Sequence, residues 1–212
     1  MAKLKALEKK LFRSVGDLVS KYGFALHYRQ HTFVRYFQGG HASLHLQVAT
    51  YPDGLVVAAD VGIRFDEVEE GLCGSDSVLP EEEKKYTCTL GAELGKLAEG
   101  RRREWEVSSE RDVDRVAREV LSYFEKAGLP YIERYSDIER AAELLTEDSI
   151  ISVPWEDARR AVMLTWITGG IDKARATIQR KTAFLKRIND PHLGWFQDFA
   201  KSLEEKWTGE CD

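Results

Sequence analysis

Little in this chain is of the kind that declares a chemistry. Of its 212 residues three are cysteine and five are proline. Cys73, Cys88 and Cys211 are an odd number without metal-type spacing, which fits reduced thiols in a cytoplasm better than a disulfide scaffold. The opening MAKLKALEKKLFRSVGDLV has charges scattered through its apolar positions, so it reads as neither a signal peptide nor a membrane span. Neither GxGxxG nor GxxxxGK[ST] occurs, which removes the usual phosphate-cradling loops. The serine elbow GxSxG and the calcium loop DxDxDG are missing as well. No residue is therefore singled out as catalytic, and no cofactor or metal is implied.

What is present is a globular composition, 43% hydrophobic and 32% charged, long enough to bury a core. The net charge of −5 argues against a generally basic nucleic-acid binder. The charge is uneven: residues 1–65 carry nine Lys/Arg against four Asp/Glu, or +5, and residues 66–100 carry three against ten, or −7. A basic region precedes an acidic one, and their mutual attraction within the fold is the simplest reading.

Leu4, Leu7, Leu11, Val15, Leu18 and Val19 recur at steps of three and four, with Gly23 where a left-handed C-terminal residue is wanted, so an amphipathic helix opens the chain. Three strand-like segments follow, joined by Gly39-Gly40 and by Tyr51-Pro52-Asp53-Gly54. Closing the first turn on two residues places Phe33 opposite Leu46 and Phe37 opposite Ala42. Closing the second on four places Leu46 opposite Ala59 and Val48 opposite Val57. Both registers put Phe33, Phe37, Leu44, Leu46, Val48, Val57, Val61 and Ile63 on one face, the expected core.

The same registers decide how to read the histidines. Four of five lie between His27 and His45, His27 and His31 four apart and His41 and His45 likewise. On a strand, residues four apart are separated by roughly 13 Å, whereas ligands of one zinc must each reach to about 2 Å from it. His31 falls on the core face and His45 opposite, so no metal site is expected. The face away from the core gathers Tyr28, Gln30, Thr32 and Tyr36 beside His41, Ser43, His45 and Gln47, a tyrosine-rich surface suited to recognition unless the C-terminal helices cover it.

Residues 66–83, acidic and interrupted by Gly71, Gly74 and Pro80, read as a solvated loop. Residues 84–94 and 104–107 read as further strands, with Cys88 packed between Thr87 and Thr89. Ser109 with Asp112 makes a capping box before the stripe Val113, Val116, Val120, Leu121 and Phe124, and Ala127-Gly128 ahead of Pro130 marks its end. Ser136 with Glu139 opens the next helix. Beyond residue 146 the pattern is helical: Pro154 to Thr168 up to Gly169-Gly170, Asp172 to Ile188 up to Asn189-Asp190-Pro191, and Gly194 to Trp207. The 172–188 helix carries six Lys/Arg against one aspartate, and Lys173, Arg180 and Arg187 share one stripe opposite Ile178 and Leu185. Such a ridge could meet phosphates, an acidic protein, solvent or the chain's own acidic loop.

The expected fold is α+β, an antiparallel β-meander packed with amphipathic helices and followed by a C-terminal helical extension, divided at 146/147. The segments KYGFALHYRQHTFVRYF, LVVAADVGIRF, LGAELGKL and AGLPYIERYSDIE, in that order, resemble a bacterial family catalogued as a domain of unknown function (number forty-three-oh-four) over about residues 1–145. The resemblance implies an α+β domain of bacterial cytoplasmic origin and brings no activity with it. The family carries an arginine near the position of Ala92, and Ala92-Glu93 departs from that.

The expected function is a non-catalytic protein-binding module, antitoxin-like or immunity-like, with Tyr28, Tyr36, His41, His45, Lys173, Arg180 and Arg187 as candidate binding residues and another protein as partner. One alternative is a hydrolase or metal-dependent enzyme in which His41 and His45 recruit Asp60 or a loop carboxylate. The other is association with nucleic acid through the 172–188 helix.

Overall fold

The computed structural model describes residues 2–27, 31–72, 87–148 and 152–209. It is an α+β structure with C-terminal helices, and the chain divides into two compact units: Met1–Arg64 with Leu90–Ser136, and Phe65–Thr89 with Asp137–Asp212.

In the first unit, α1 (Ala2–Val19) runs into a short 3₁₀ turn that Gly23 ends at φ 81°, its N–H donating to the Ser20 carbonyl. The sheet then has strands β1 (Ala25–His27), β2 (Thr32–Phe37), β3 (Gly40–Thr50), β4 (Leu55–Phe65) and β5 (Leu90–Glu93) in sequential order, with β6 (Trp105–Val107) pairing β4 beside the β5 segment. The expected first strand is interrupted. His31, a turn residue at φ 53°, separates β1 from β2, although its carbonyl still accepts the Leu46 N–H of β3 at 3.0 Å, and β1 and β2 pair antiparallel with each other.

The β2–β3 turn closes on Gln38-Gly39 instead of Gly39-Gly40, so Phe33 faces Leu44 and Phe37 faces Gly40. This is a slip of two residues from the expected register. An even slip leaves every side chain on its expected face. Its cause is Gly40: a Cβ there would come within 1.9 Å of the Arg64 carbonyl oxygen, so this glycine belongs to a close strand contact, while Gly39, at φ 85°, does the turning. Of the eight expected core residues Phe33, Leu44, Leu46, Val57, Val61 and Ile63 are buried, with Phe37 and Val48 half-buried.

The core face packs on helices. Phe33 lies against Phe12 of α1, and Gly16 leaves room for its ring. The capping box on α4 (Glu110–Tyr123) forms as expected: Ser109 N–H donates to the Asp112 carboxylate at 2.9 Å and Asp112 N–H to the Ser109 hydroxyl. Val113, Val116 and Val120 are buried. Gly128 does not stop this helix, however. The chain continues through a π-helical turn, Phe124–Gly128, into α5 (Leu129–Tyr135), where Pro130 takes an early helical position that needs no N–H partner. Gly128 is a packing glycine, since a Cβ would meet Leu94 of α3 (Leu94–Glu99) at 2.6 Å and Val61 at 3.1 Å.

The second unit holds α2 (Asp66–Leu72), α6 (Ile138–Thr146), α7 (Pro154–Arg187) and α8 (Leu193–Thr208). The start of the expected acidic loop is thus a helix, because Val68 is buried and Glu69 finds Arg160 of α7 at 3.1 Å; residues 73–83 lie outside the described residues. The capping residue of α6 is Asp137, one position beyond Ser136, accepting from the N–H groups of Glu139 and Arg140. The break at Gly170 is as expected, at φ 75° and ψ −174° within α7. The packed residues include Ala141, Leu145, Val162, Leu164, Leu185 and Phe196.

Candidate functional site

The sheet face away from the core carries the residues that the alternation of β2 and β3 brings together. Tyr36, on β2, faces His41 across the ladder, and His27 of β1 stands on its other side; the three rings meet edge to face at centroid distances of 6.3 Å and 5.8 Å. Tyr36 is 69% exposed. A tyrosine held by two imidazoles keeps its hydroxyl and ring face outward with few rotamers to lose on binding, which is what a recognition residue needs. Tyr28 lies outside the described residues.

Two steps along the same face, past the buried Val34–Ser43 pair, a second row crosses four strands. The Thr32 hydroxyl and His45 Nδ1 share a 2.9 Å hydrogen bond. Beside them Gln47 donates to the carboxylate of Asp60 on β4, and Asp60 faces Glu93 on β5. Burial holds the Asp60 carboxyl above its ordinary range, against the lowering effect of the Gln47 hydrogen bond and the nearby His45 charge. His45 and Asp60 thus stand near each other, whereas His41 belongs to the tyrosine row. His31, expected on the core face, turns toward α1. Its ring lies 4.7 Å from Phe12 and its Nε2 is 3.3 Å from Glu8 of α1. Among the described residues no group of three or more His, Cys, Asp and Glu could hold a metal ion.

Cys88 precedes β5 and is not part of a strand; the neighbouring Thr89 hydroxyl accepts the Phe65 N–H at 3.0 Å.

On α7 the expected basic stripe forms, and much of its charge is already engaged. Arg180 Nε and Arg187 each reach the carboxylate of Asp148, at 3.1 Å and 3.2 Å. Their partner is thus the residue just past α6, and Glu69 of the acidic segment takes Arg160 instead. Lys181, between them in sequence, is 2% exposed and donates to the Glu147 carbonyl; burial pushes its ammonium below the ordinary lysine range.

Sequence reading passed over two further features. His27 completes the ring row, a role that only strand pairing could reveal. Trp155 and Trp195 meet at 82° with the His192 ring against both, and Arg159 lies over Trp155. The tryptophans are 40 residues apart, so no local pattern signalled the cluster. Among the described residues no helix is long and apolar enough to cross a membrane. No known protein family, curated protein or solved structure matches the chain.

Proposed function

We propose that this chain is a non-catalytic protein-binding module of the bacterial cytoplasm, antitoxin-like or immunity-like, and a member of the uncharacterised family that residues 1–145 resemble. The observation that supports this reading is the outward-facing Tyr36 buttressed by His27 and His41. The rings form a preorganised amphipathic patch, and aromatic anchors of this kind carry a large share of the energy in protein interfaces. The test is capture of a partner from host lysate by the tagged chain, compared with Tyr36→Ala and with Tyr51→Ala, an exposed tyrosine in the β3–β4 turn. One stoichiometric partner retained by the parent chain and by Tyr51→Ala, and lost with Tyr36→Ala, supports the reading. Retention by all three sinks this surface, and retention by none sinks the binding-module reading.

A second reading rests on the Thr32–His45 hydrogen bond beside Asp60. A hydroxyl, an imidazole and a carboxyl in one row are the groups that nucleophilic hydrolysis uses, with the imidazole as base. Under this alternative the chain is a hydrolase, and turnover of small activated esters is lost in His45→Ala and Thr32→Val alike. Turnover that survives both substitutions, or that the parent chain lacks, removes it.

A further inference from the structure

The elbow at Gly170 opens a groove of about 490 Å³ between α6 and the two halves of α7, a size within the range of small-molecule sites. Its floor is Ala142, Ala176 and the threonines 165, 168 and 177. Each of these threonine hydroxyls donates its proton to a carbonyl of its own helix, so its oxygen can only accept from a ligand. One wall is the acidic side of α6, with Glu139 and Glu143 one turn apart and Glu147 just past the helix end. The other carries Lys173 and Arg180.

Some of these charges are satisfied within the fold. Glu143 pairs with Arg140, and Arg180 with Asp148. Glu139 stands near Arg140 and Glu147 near the Lys181 ammonium, which donates to the Glu147 carbonyl, but neither carboxylate closes an ion pair; Lys173 closes none either among the described residues. The stem of the exposed Lys173 crosses Gly169: a Cβ on that glycine would lie 2.0 Å from Lys173 Cδ. The groove thus carries one cation and two carboxylates without ion pairs on its rim, above a floor of methyl groups and hydrogen-bond acceptors.

We infer that this groove binds a basic α-amino acid, free or as the C-terminal residue of a peptide, with its carboxylate on Lys173 and its cationic end at the acidic wall that Glu139 and Glu147 bracket. The aliphatic stem crosses the alanine and threonine methyl floor, and the donors of a guanidinium or ammonium match threonine oxygens that have no proton left to give. A simple anion meets the acidic wall, and a simple amine leaves Lys173 unanswered. The walls are exposed, so an affinity in the high micromolar to millimolar range is expected.

The test is an NMR titration of the full chain with L-arginine, agmatine, which lacks the carboxylate, and L-glutamate. The inference expects saturable shifts at the amides of Ala142, Thr168 and Thr177, with agmatine and glutamate at least tenfold weaker. Lys173→Gln is expected to weaken arginine about tenfold while leaving agmatine unchanged, and Glu139→Gln with Glu147→Gln to weaken both. Gly169→Ala, which dislodges the lysine stem, is expected to mimic Lys173→Gln. Glycyl-arginine binding more tightly than arginine identifies a peptide end as the ligand, and the reverse order identifies the free amino acid. Equal affinity for arginine and agmatine, shifts indifferent to all these variants, or no saturable binding overturns the inference.

Discussion

On the sheet of the first unit Tyr36 is 69% exposed and stands between the rings of His27 and His41, while on the helices of the second unit Arg187 is 64% exposed and already holds Asp148. Exposure is similar in the two regions and availability is not. An edge-to-face ring contact orients Tyr36 and leaves its hydroxyl and one ring face to a partner. An arginine bonded to a carboxylate has lost part of the charge that would draw a phosphate. The basic stripe of α7 therefore says less about a partner than its composition does, and the uncharged tyrosine says more.

The sharpest way to test the contrast within the sheet is to compare the two faces of β2. Phe33→Ala empties a fully buried site between β2 and α1 and is expected to cost about 3–5 kcal/mol in urea unfolding. Tyr36→Ala is expected to change stability by less than about 0.5 kcal/mol and yet to abolish capture. A large loss of stability in Tyr36→Ala would break the comparison by making that residue structural.

For the helices the telling substitution is Asp148→Asn, which releases Arg180 and Arg187 together. The pairs are exposed, so stability should fall by no more than about 1 kcal/mol, while elution from heparin should move to clearly higher salt. Unchanged elution would mean that these arginines are not what limits polyanion binding.

The smallest expected effect concerns Asp60. Burial raises its pKa, so the folded chain holds that proton more tightly than the unfolded one; the stability it contributes is present below about pH 3.9, the unfolded value, and is lost as pH rises through the folded value. Asp60→Asn keeps an acceptor for Gln47 and removes the charge. Its Tm should exceed the parent's by about a degree or two at pH 7 and match it near pH 3. A lower Tm at pH 7 would show that the carboxylate is stabilising where it stands.

How much was legible depended on the range of the interaction responsible. The Ser109–Asp112 box, the left-handed Gly23 and the break at Gly170 were readable because each is settled within four residues. The face of each strand was readable for the same reason, and survived a register error because the slip was even. Gly128 and Gly40 misled because a glycine looks the same in sequence whether it turns the chain or admits a neighbour, here Leu94 in one case and the Arg64 carbonyl in the other. The acidic segment misled similarly, since Glu69 becomes helical and buried only where Arg160, 91 residues away, supplies the opposite charge.

By itself the sequence determined the α+β class, the helical stripes and the two-sided sheet, because period and capping are local physics. Tertiary structure alone decided which of the candidate residues have partners. Thr32 with His45, His27 with Tyr36, and Asp148 with Arg180 and Arg187 are all pairings between elements, and whether a charge or ring is available to a partner depends on what the fold has placed within about 4–6 Å of it.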